Sequence, residues 1–369
     1  MRKSIILAAA LTGSLSALAC DTQPADLNPR FQWQEAVPEL SDALLGGCSF
    51  GNISYAVGGL AEEGALYRWT GRRWIQEATN VIGSRLWDCW AGPNNLVFAV
   101  GDNGTIFQHT AEGWHREQVP SSVAEASLYG VWGMADGTVV AVGGGLSDST
   151  ETAVILHYDG ESWQRANASN IDTKNLRAVW GSSPDNYFAV GDEGTIARFD
   201  GEEWKPSNSK VNDRLYGIYG NGPGEIYAVG GTGRGIVLRW NGSSWVPFHE
   251  PSGSLRTIWT SPGNHLYVAG DDGFVARYDR FGDLPSVASV VSATPFPHLR
   301  IHALVGVGNG IFGSAGTMLT GENGDWSGAV VSHLRSFSGP VFESSAPDAD
   351  LPDAGPADAG VADAADADE

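Results

Sequence analysis

An all-β fold follows from three features of this 369-residue sequence. One phrase, clearest at 176–204 as LRAVWGSSPDNYFAVGDEGTIARFDGEEW, recurs in seven copies at a period near 40 residues. Each copy breaks into four short apolar runs, and dipeptides such as Asp159-Gly160, Asp200-Gly201 and Asn241-Gly242 mark a tight hairpin between the third and the fourth. No part of the body carries the caps and apolar spacing of a substantial helix. A four-strand unit of this size cannot bury its faces alone, and stacking the copies about an axis predicts a seven-bladed β-propeller of four-stranded antiparallel blades. Its expected span is 31–342, with a cleaved signal peptide before it and a disordered acidic C-terminal tail after it.

The chain opens with Arg2 and Lys3, an apolar run from Ile5 to Leu11, and the small-residue site Ala17-Leu18-Ala19. That order is an export signal over 1–19, and the run is too short for a spanning helix. Cys20 follows the cleavage site, so this end resembles a bacterial lipoprotein signal, which implies lipidation of Cys20 and a linker over 20–30. Ordinary cleavage after Ala-x-Ala is the alternative. Several acyl chains would hold the protein stably on a membrane, where one alone would not.

Within the repeat, an Ala-Val-Gly phrase ends the second run at Gly58, Gly101, Gly143, Gly191 and Gly230, and Val-Ala-Gly ends it at Gly270. The spacings are 43, 42, 48, 39 and 40 residues, and the long one contains an insertion, GGLSDSTET, at 144–152. In the fourth copy strand a is expected at 176–181, b at 187–191, c at 195–199 and d at 204–208. Strand b is almost continuously apolar, as befits a strand covered on both faces. Pro206 and Pro247 lie two residues after Trp204 and Trp245, which marks strand d as the outer edge, because proline removes a ladder donor. An unattached strand-d phrase, Trp33-Gln34-Glu35-Ala36-Val37-Pro38, precedes the first copy, while the last copy carries its own at Trp326–Val331. One of the two is expected to be redundant, with the N-terminal strand favoured as the clasp.

The tail, 343–369, has nine acidic residues and no basic one, and too little apolar surface to offset the entropy of ordering it. Setting the tail and the signal aside leaves −14 of the chain's net −21 on the body, which argues against nucleic-acid binding. Cys48 and Cys89 form an isolated pair in an exported chain and are expected to be bridged. Aligning Cys48 with Val179, at the cost of a two-residue gap, puts both on the first strand of neighbouring blades.

The Trp-Gly…Ala-Val-Gly-Asp-x-Gly-Thr-Ile…Asp-Gly-x-x-Trp cadence resembles the BNR/Asp-box, YVTN-like and photosystem-assembly-factor propellers. With the Asp/Ala-rich tail, it resembles still more the propeller lipoproteins of myxobacteria. The turn departs from a true Asp-box, since Asp200 and Trp204 are four apart rather than five. That weakens any link to sialidase-type hydrolases.

Most of the conspicuous residues belong to repeat positions. Seven of the 14 tryptophans fill the strand-d position, four the strand-a position and two the end of strand c, so blade packing explains all but Trp87. Asp102, Asp192 and Asp271 are expected on one face, but Asp before Gly is ordinary turn chemistry. Arg68, Arg198, Arg239 and Arg277 share one strand-c position. The histidines show no ligand spacing, there is no Gly-x-Ser-x-Gly elbow, and GGTGRG at 230–235 is followed by a strand rather than a helix. No catalytic residue, metal or cofactor is expected.

The expected function is that of a non-catalytic exported lipoprotein, a binding or scaffolding propeller of the bacterial cell envelope and of its outer membrane. It is expected to be monomeric, with a protein or glycan partner and no nucleic acid. A glycan-active hydrolase or lyase and an assembly factor for an envelope complex are the alternatives. The candidate ligand-face loop is the insertion: Gly144, Leu146, Ser147, Asp148, Ser149, Thr150, Glu151 and Thr152.

Overall fold

The computed structural model describes residues 31–40, 43–51, 53–70, 73–77, 83–145, 153–260, 265–279, 290–293, 300–307, 310–317 and 327–335. The signal peptide, Cys20, the linker and the acidic tail lie outside them. The described residues are strands joined by turns, with single 3-10 turns as their only helical geometry. None of these helices is long and apolar enough to cross a membrane.

Six blades are built from four consecutive strands each. They occupy 44–76, 86–116, 127–165, 176–206, 215–249 and 255–293, and every neighbouring pair of strands within them is antiparallel. The remaining sheet joins the two ends of the chain. Its strands, from the inside out, are Ile301–Val307, Gly310–Thr317, Ser327–Arg335 and Phe31–Leu40. The expectation of seven like blades, each from its own repeat, is therefore corrected to six such blades and a closing sheet of mixed origin. Neither end strand is redundant. The segment expected as the last strand d falls on the third strand, which pairs with Gly310–Thr317 on one side and Phe31–Leu40 on the other. The physical reason is closure: interlacing the two ends in one sheet places backbone hydrogen bonds across the seam of the ring.

Each blade's first strand packs against the first strand of the next, and Leu44–Phe50 packs against Ile301–Val307 to complete the circle. The core lies between blades. Trp90, Phe98 and Ile106 of the second blade pack with Leu128, Val139 and Leu156 of the third, and Trp180, Phe188 and Ile196 of the fourth with Leu215, Ile226 and Leu238 of the fifth. Strand b is buried along its whole length at 97–101, 139–144 and 186–191, because it is covered from both sides. Pro206 and Pro247 stand on the outermost strands of their blades, opposite Ala197 and Leu238.

Tryptophan on strand a interlocks successive blades. A Cβ added to Gly133 would lie 2.8 Å from the Trp90 ring, one on Gly220 2.8 Å from Trp180, and one on Gly306 2.2 Å from Trp259. Trp132 instead donates from Nε1 to the Gly181 carbonyl at 3.0 Å. Cys48 occupies this same position in the first blade, opposite Tyr55 as Trp90 is opposite Phe98. Its Sγ is bonded to that of Cys89, with the Cα atoms 5.4 Å apart. Cys48 thus aligns with Trp180 rather than Val179, and the first repeat is one residue short, in the turn between its first two strands, rather than two.

Candidate functional site

The Ala-Val-Gly glycine has a steric origin that leads to the site. At Gly58, Gly101, Gly143, Gly191, Gly230 and Gly270 an added Cβ would fall 1.9–2.2 Å from the carbonyl oxygen of the residue that precedes the strand-a leucine. Strand a comes this close because it is bulged at the same place in every sheet. Leu176 pairs with Gly191 and Ala178 with Val190, so Arg177 is the extra residue, and the same shift recurs in the other six sheets. A bulge re-aims the side chain that it carries. Here the bulged residues are Leu45, Trp87, Tyr129, Arg177, Tyr216, Arg256 and His302, and all seven line the central channel, a cavity of about 720 Å3.

These side chains form linked pairs around the channel mouth. Arg85 stands 5.2 Å over the Trp87 ring, Trp87 meets Tyr129 edge-on at 5.2 Å, and Arg177 lies 4.4 Å over Tyr129. On the far side, Tyr216 lies between Arg214 at 5.7 Å and Arg256 at 4.0 Å. The turn acids Asp102, Asp192 and Asp271 stand behind the ring. Asp102 Oδ1 accepts from Trp87 Nε1 and from Ser127 Oγ, both at 2.7 Å. Asp192 takes Arg177 in a two-pronged bond at 3.0 and 3.1 Å, Asn175 Nδ2 at 2.8 Å and Arg214 at 2.5 Å. Asp271 repeats the arrangement with Arg256 at 2.9 and 3.0 Å and Arg300 at 2.6 Å.

Burial alone would raise the Asp192 carboxyl, but the hydrogen bonds from Arg177 and Asn175 and the two guanidinium charges outweigh it and hold the group low. Asp271 is held low in the same way by Arg256 and Arg300. Both acids are therefore ionised, and each meets two guanidiniums. Among the described residues, Arg177, Arg214, Arg256 and Arg300 line the channel and share two of the turn aspartates, Asp192 and Asp271, in a chain whose net charge is −21. Such a ring suits an anionic group, since arginine presents planar pairs of donors to carboxylates and the neighbouring aromatic faces supply contact area.

The turns that deliver the aspartates are fixed locally. Glu193 has φ 56° and Gly194 φ 68°, and a side chain at Gly194 would strike the Val211 carbonyl at 1.9 Å. Of the expected loop, Gly144 is described at the end of its strand, where it bridges to Asn175, and Leu146–Thr152 lie outside the described residues. Gly145, the last described residue before that segment, stands beside the ring, since a Cβ on it would lie 3.8 Å from both Tyr129 Oη and Asn175 Oδ1. The strand-c arginines stand elsewhere: Arg198 lies over Phe188 and Trp240, between blades. Among the described residues, no group of three His, Cys, Asp or Glu could hold a metal ion.

Sequence reasoning passed over Arg177, Arg214, Arg256 and Arg300, and left Trp87 unexplained. The usable signal was positional. The residue after the strand-a leucine stands opposite a recurring glycine and is the strand-a position whose chemistry varies most from copy to copy.

No family model matches the chain. Over 163 residues, 42% of the chain, it is 26% identical to the immune protein Tsi7 of Pseudomonas aeruginosa. The match spans half the length of that curated relative. Among solved structures, it is similar to YCF48 bound to D1 peptide, with TM-score 0.58 and 13% identity, over 85% of this chain and 98% of the other. It is similar also to virginiamycin B lyase from Staphylococcus aureus, with TM-score 0.61 and 11% identity, over 81% and 99%. These likenesses show the β-propeller repeat fold.

Proposed function

We propose that this chain is a non-catalytic binding propeller of the bacterial cell envelope, exported and anchored through lipidated Cys20, that captures an acidic segment of a protein partner at the mouth of its channel. The observation that carries the reading is the ring of bulged residues, in which Asp192 and Asp271 each serve two arginines and leave guanidinium charge to spare. A fold whose repeated bulge gives seven positions on one rim can vary ligand chemistry without altering its core. YCF48, of the same fold, is bound to a peptide in its structure, which supports a polypeptide rather than a small molecule as the ligand. The alternative of a glycan-active hydrolase calls for a pair of carboxyls across a scissile bond. Among the described residues, Asp88 is the one acid on the channel wall.

The test is a titration of the purified protein with a blocked, glutamate-containing peptide, followed by the fluorescence of its tryptophans, Trp87 among them. Binding should weaken as salt rises, and Arg256→Ala should lower affinity by about tenfold or more. Equal affinity in the two proteins would remove the mouth from consideration. For the anchor, mass spectrometry of the mature N-terminus should find an acylated Cys20, and Cys20→Ser should release the protein from membranes.

A further inference from the structure

Asp88 stands where the other sheets have Gly46, Gly130, Ala178, Gly217, Thr257 and Ala303, directly after the bulged residue. The inner strands are crowded at this level. A Cβ on Gly46 would lie 2.5 Å from the Asp88 Cα, and one on Gly130 2.8 Å from the Ala178 Cα. A carboxyl is thus out of character here, and it lines the channel.

Part of its role is structural. Oδ1 accepts the N–H of Cys89 at 2.9 Å, and Oδ2 accepts the N–H of Val131, on the next blade, at 3.2 Å. Yet Thr257 makes the same inter-blade bond with a neutral hydroxyl, accepting the N–H of Leu304 at 3.2 Å. The link between blades therefore needs an acceptor and no charge. Each carboxylate oxygen has a second acceptor site beyond the N–H that it holds. Among the described residues, no cation is paired with Asp88, and burial pushes its carboxyl up to about 7. An acid kept unpaired at such a cost on a cavity wall marks a place for a ligand's charge. The channel wall on these two blades is also aromatic, with Trp87, Trp90, Tyr129 and Trp132, and such faces favour a cation.

We propose that Asp88 is a second subsite, one level below the arginine mouth, that accepts the ammonium or guanidinium of a basic residue in the bound segment. The partner segment then carries a lysine or arginine near the acid held at the mouth, because Asp88 lines the same channel as Arg177, Arg214, Arg256 and Arg300. This rests on the reading of the mouth as an acid-binding site.

The experiment titrates the full-length protein with three blocked peptides that share two glutamates. One has glycine at the positions flanking the glutamates, one has lysine there, and one has norleucine, which keeps the lysine stem without its charge. Lysine should improve affinity over norleucine by about tenfold. In Asp88→Thr, which copies the neutral link of Thr257, that ratio should fall to about one, and Asp88→Asn serves if the threonine variant does not fold. The proposal is overturned if wild-type protein shows no lysine gain, or if the gain survives loss of the carboxyl. Should the glutamate-only peptide bind neither wild type nor Arg256→Ala, the reading of the mouth itself has failed, a separate result that takes this subsite with it.

Discussion

Arg177 grips Asp192 through two parallel hydrogen bonds, Nε to Oδ1 at 3.0 Å and Nη2 to Oδ2 at 3.1 Å, both side chains being largely buried. The pair belongs to the fourth blade, and Arg214, which precedes the first strand of the fifth, joins it at 2.5 Å. One carboxylate therefore builds the mouth and ties two blades together. Asp192→Ala should strand two guanidiniums and cost about 1–3 kcal/mol. Arg214→Ala should cost less, because Asp192 keeps Arg177. Because the folded Asp192 carboxyl is held below its ordinary value, its stabilisation is present above the ordinary carboxylate range and lost as pH falls through the folded value. Urea unfolding of both variants at pH 7 and pH 3 checks the order and the sign, and equal losses at both pH values would refute the linkage.

The tryptophan interlock predicts a contrast between two glycines of one strand. A Cβ at Gly220 would sit 2.8 Å from both Trp180 and the Glu225 carbonyl oxygen, whereas at Gly222 nothing lies within 4 Å. Gly220→Ala should lose about 1–3 kcal/mol through overpacking, and Gly222→Ala should stay within about 0.5 kcal/mol of wild type. Thermal denaturation of the two variants side by side decides it, and a reversed order would mean that the interlock is not tight.

Much of the fold could be read because its determinants are local and repeated. Asp159 Oδ1 accepts from the N–H groups of Glu161 and Ser162 in the hairpin that Asp159-Gly160 announced, and Pro206 marks an outer edge as proline must. The closing sheet was only partly legible. Which distant end pairs with which is set by hydrogen bonds between Phe31–Leu40 and Ser327–Arg335, and no local pattern records that pairing. The turn aspartates were placed on the right face but read as turn residues alone. Their partners, Arg177 and Arg256, lie 15 residues back on a strand whose bulge is invisible to a strict two-residue alternation. The Ala-Val-Gly glycine was the trace of that bulge.

The bond between Cys48 and Cys89 closes a span of 41 residues across the first two blades. In the chain-entropy model a loop of that length contributes about 4 kcal/mol. Reduction, or a Cys48→Ala and Cys89→Ala double variant, should lower the denaturation midpoint by a corresponding amount. The double variant should also become insensitive to reductant, while wild type is not. If the reduced protein unfolds at the same denaturant concentration as the oxidised one, the seam between these blades draws its strength from packing alone.

Asp88 makes stability depend on pH in the sense opposite to Asp192. Burial raises its folded carboxyl to about 7, outweighing the N–H bonds of Val131 and Cys89 that act to lower it. A group whose folded value is raised contributes stability that is fully present below its unfolded value and is lost as pH rises through the folded one. The window runs from about pH 4, where an unfolded aspartate titrates, to about pH 7. The distance between those values sets a ceiling of about 4 kcal/mol, and screening by solvent that reaches the channel brings the expected effect down to about 1–2 kcal/mol. Asp88→Asn does not titrate, so the stability of wild type relative to this variant should fall between pH 4 and pH 8. Denaturant unfolding of both proteins at those two values measures the difference directly. A flat difference across the window would mean that Asp88 is charged and already compensated in the folded protein, and would remove the cost on which its role as a subsite depends.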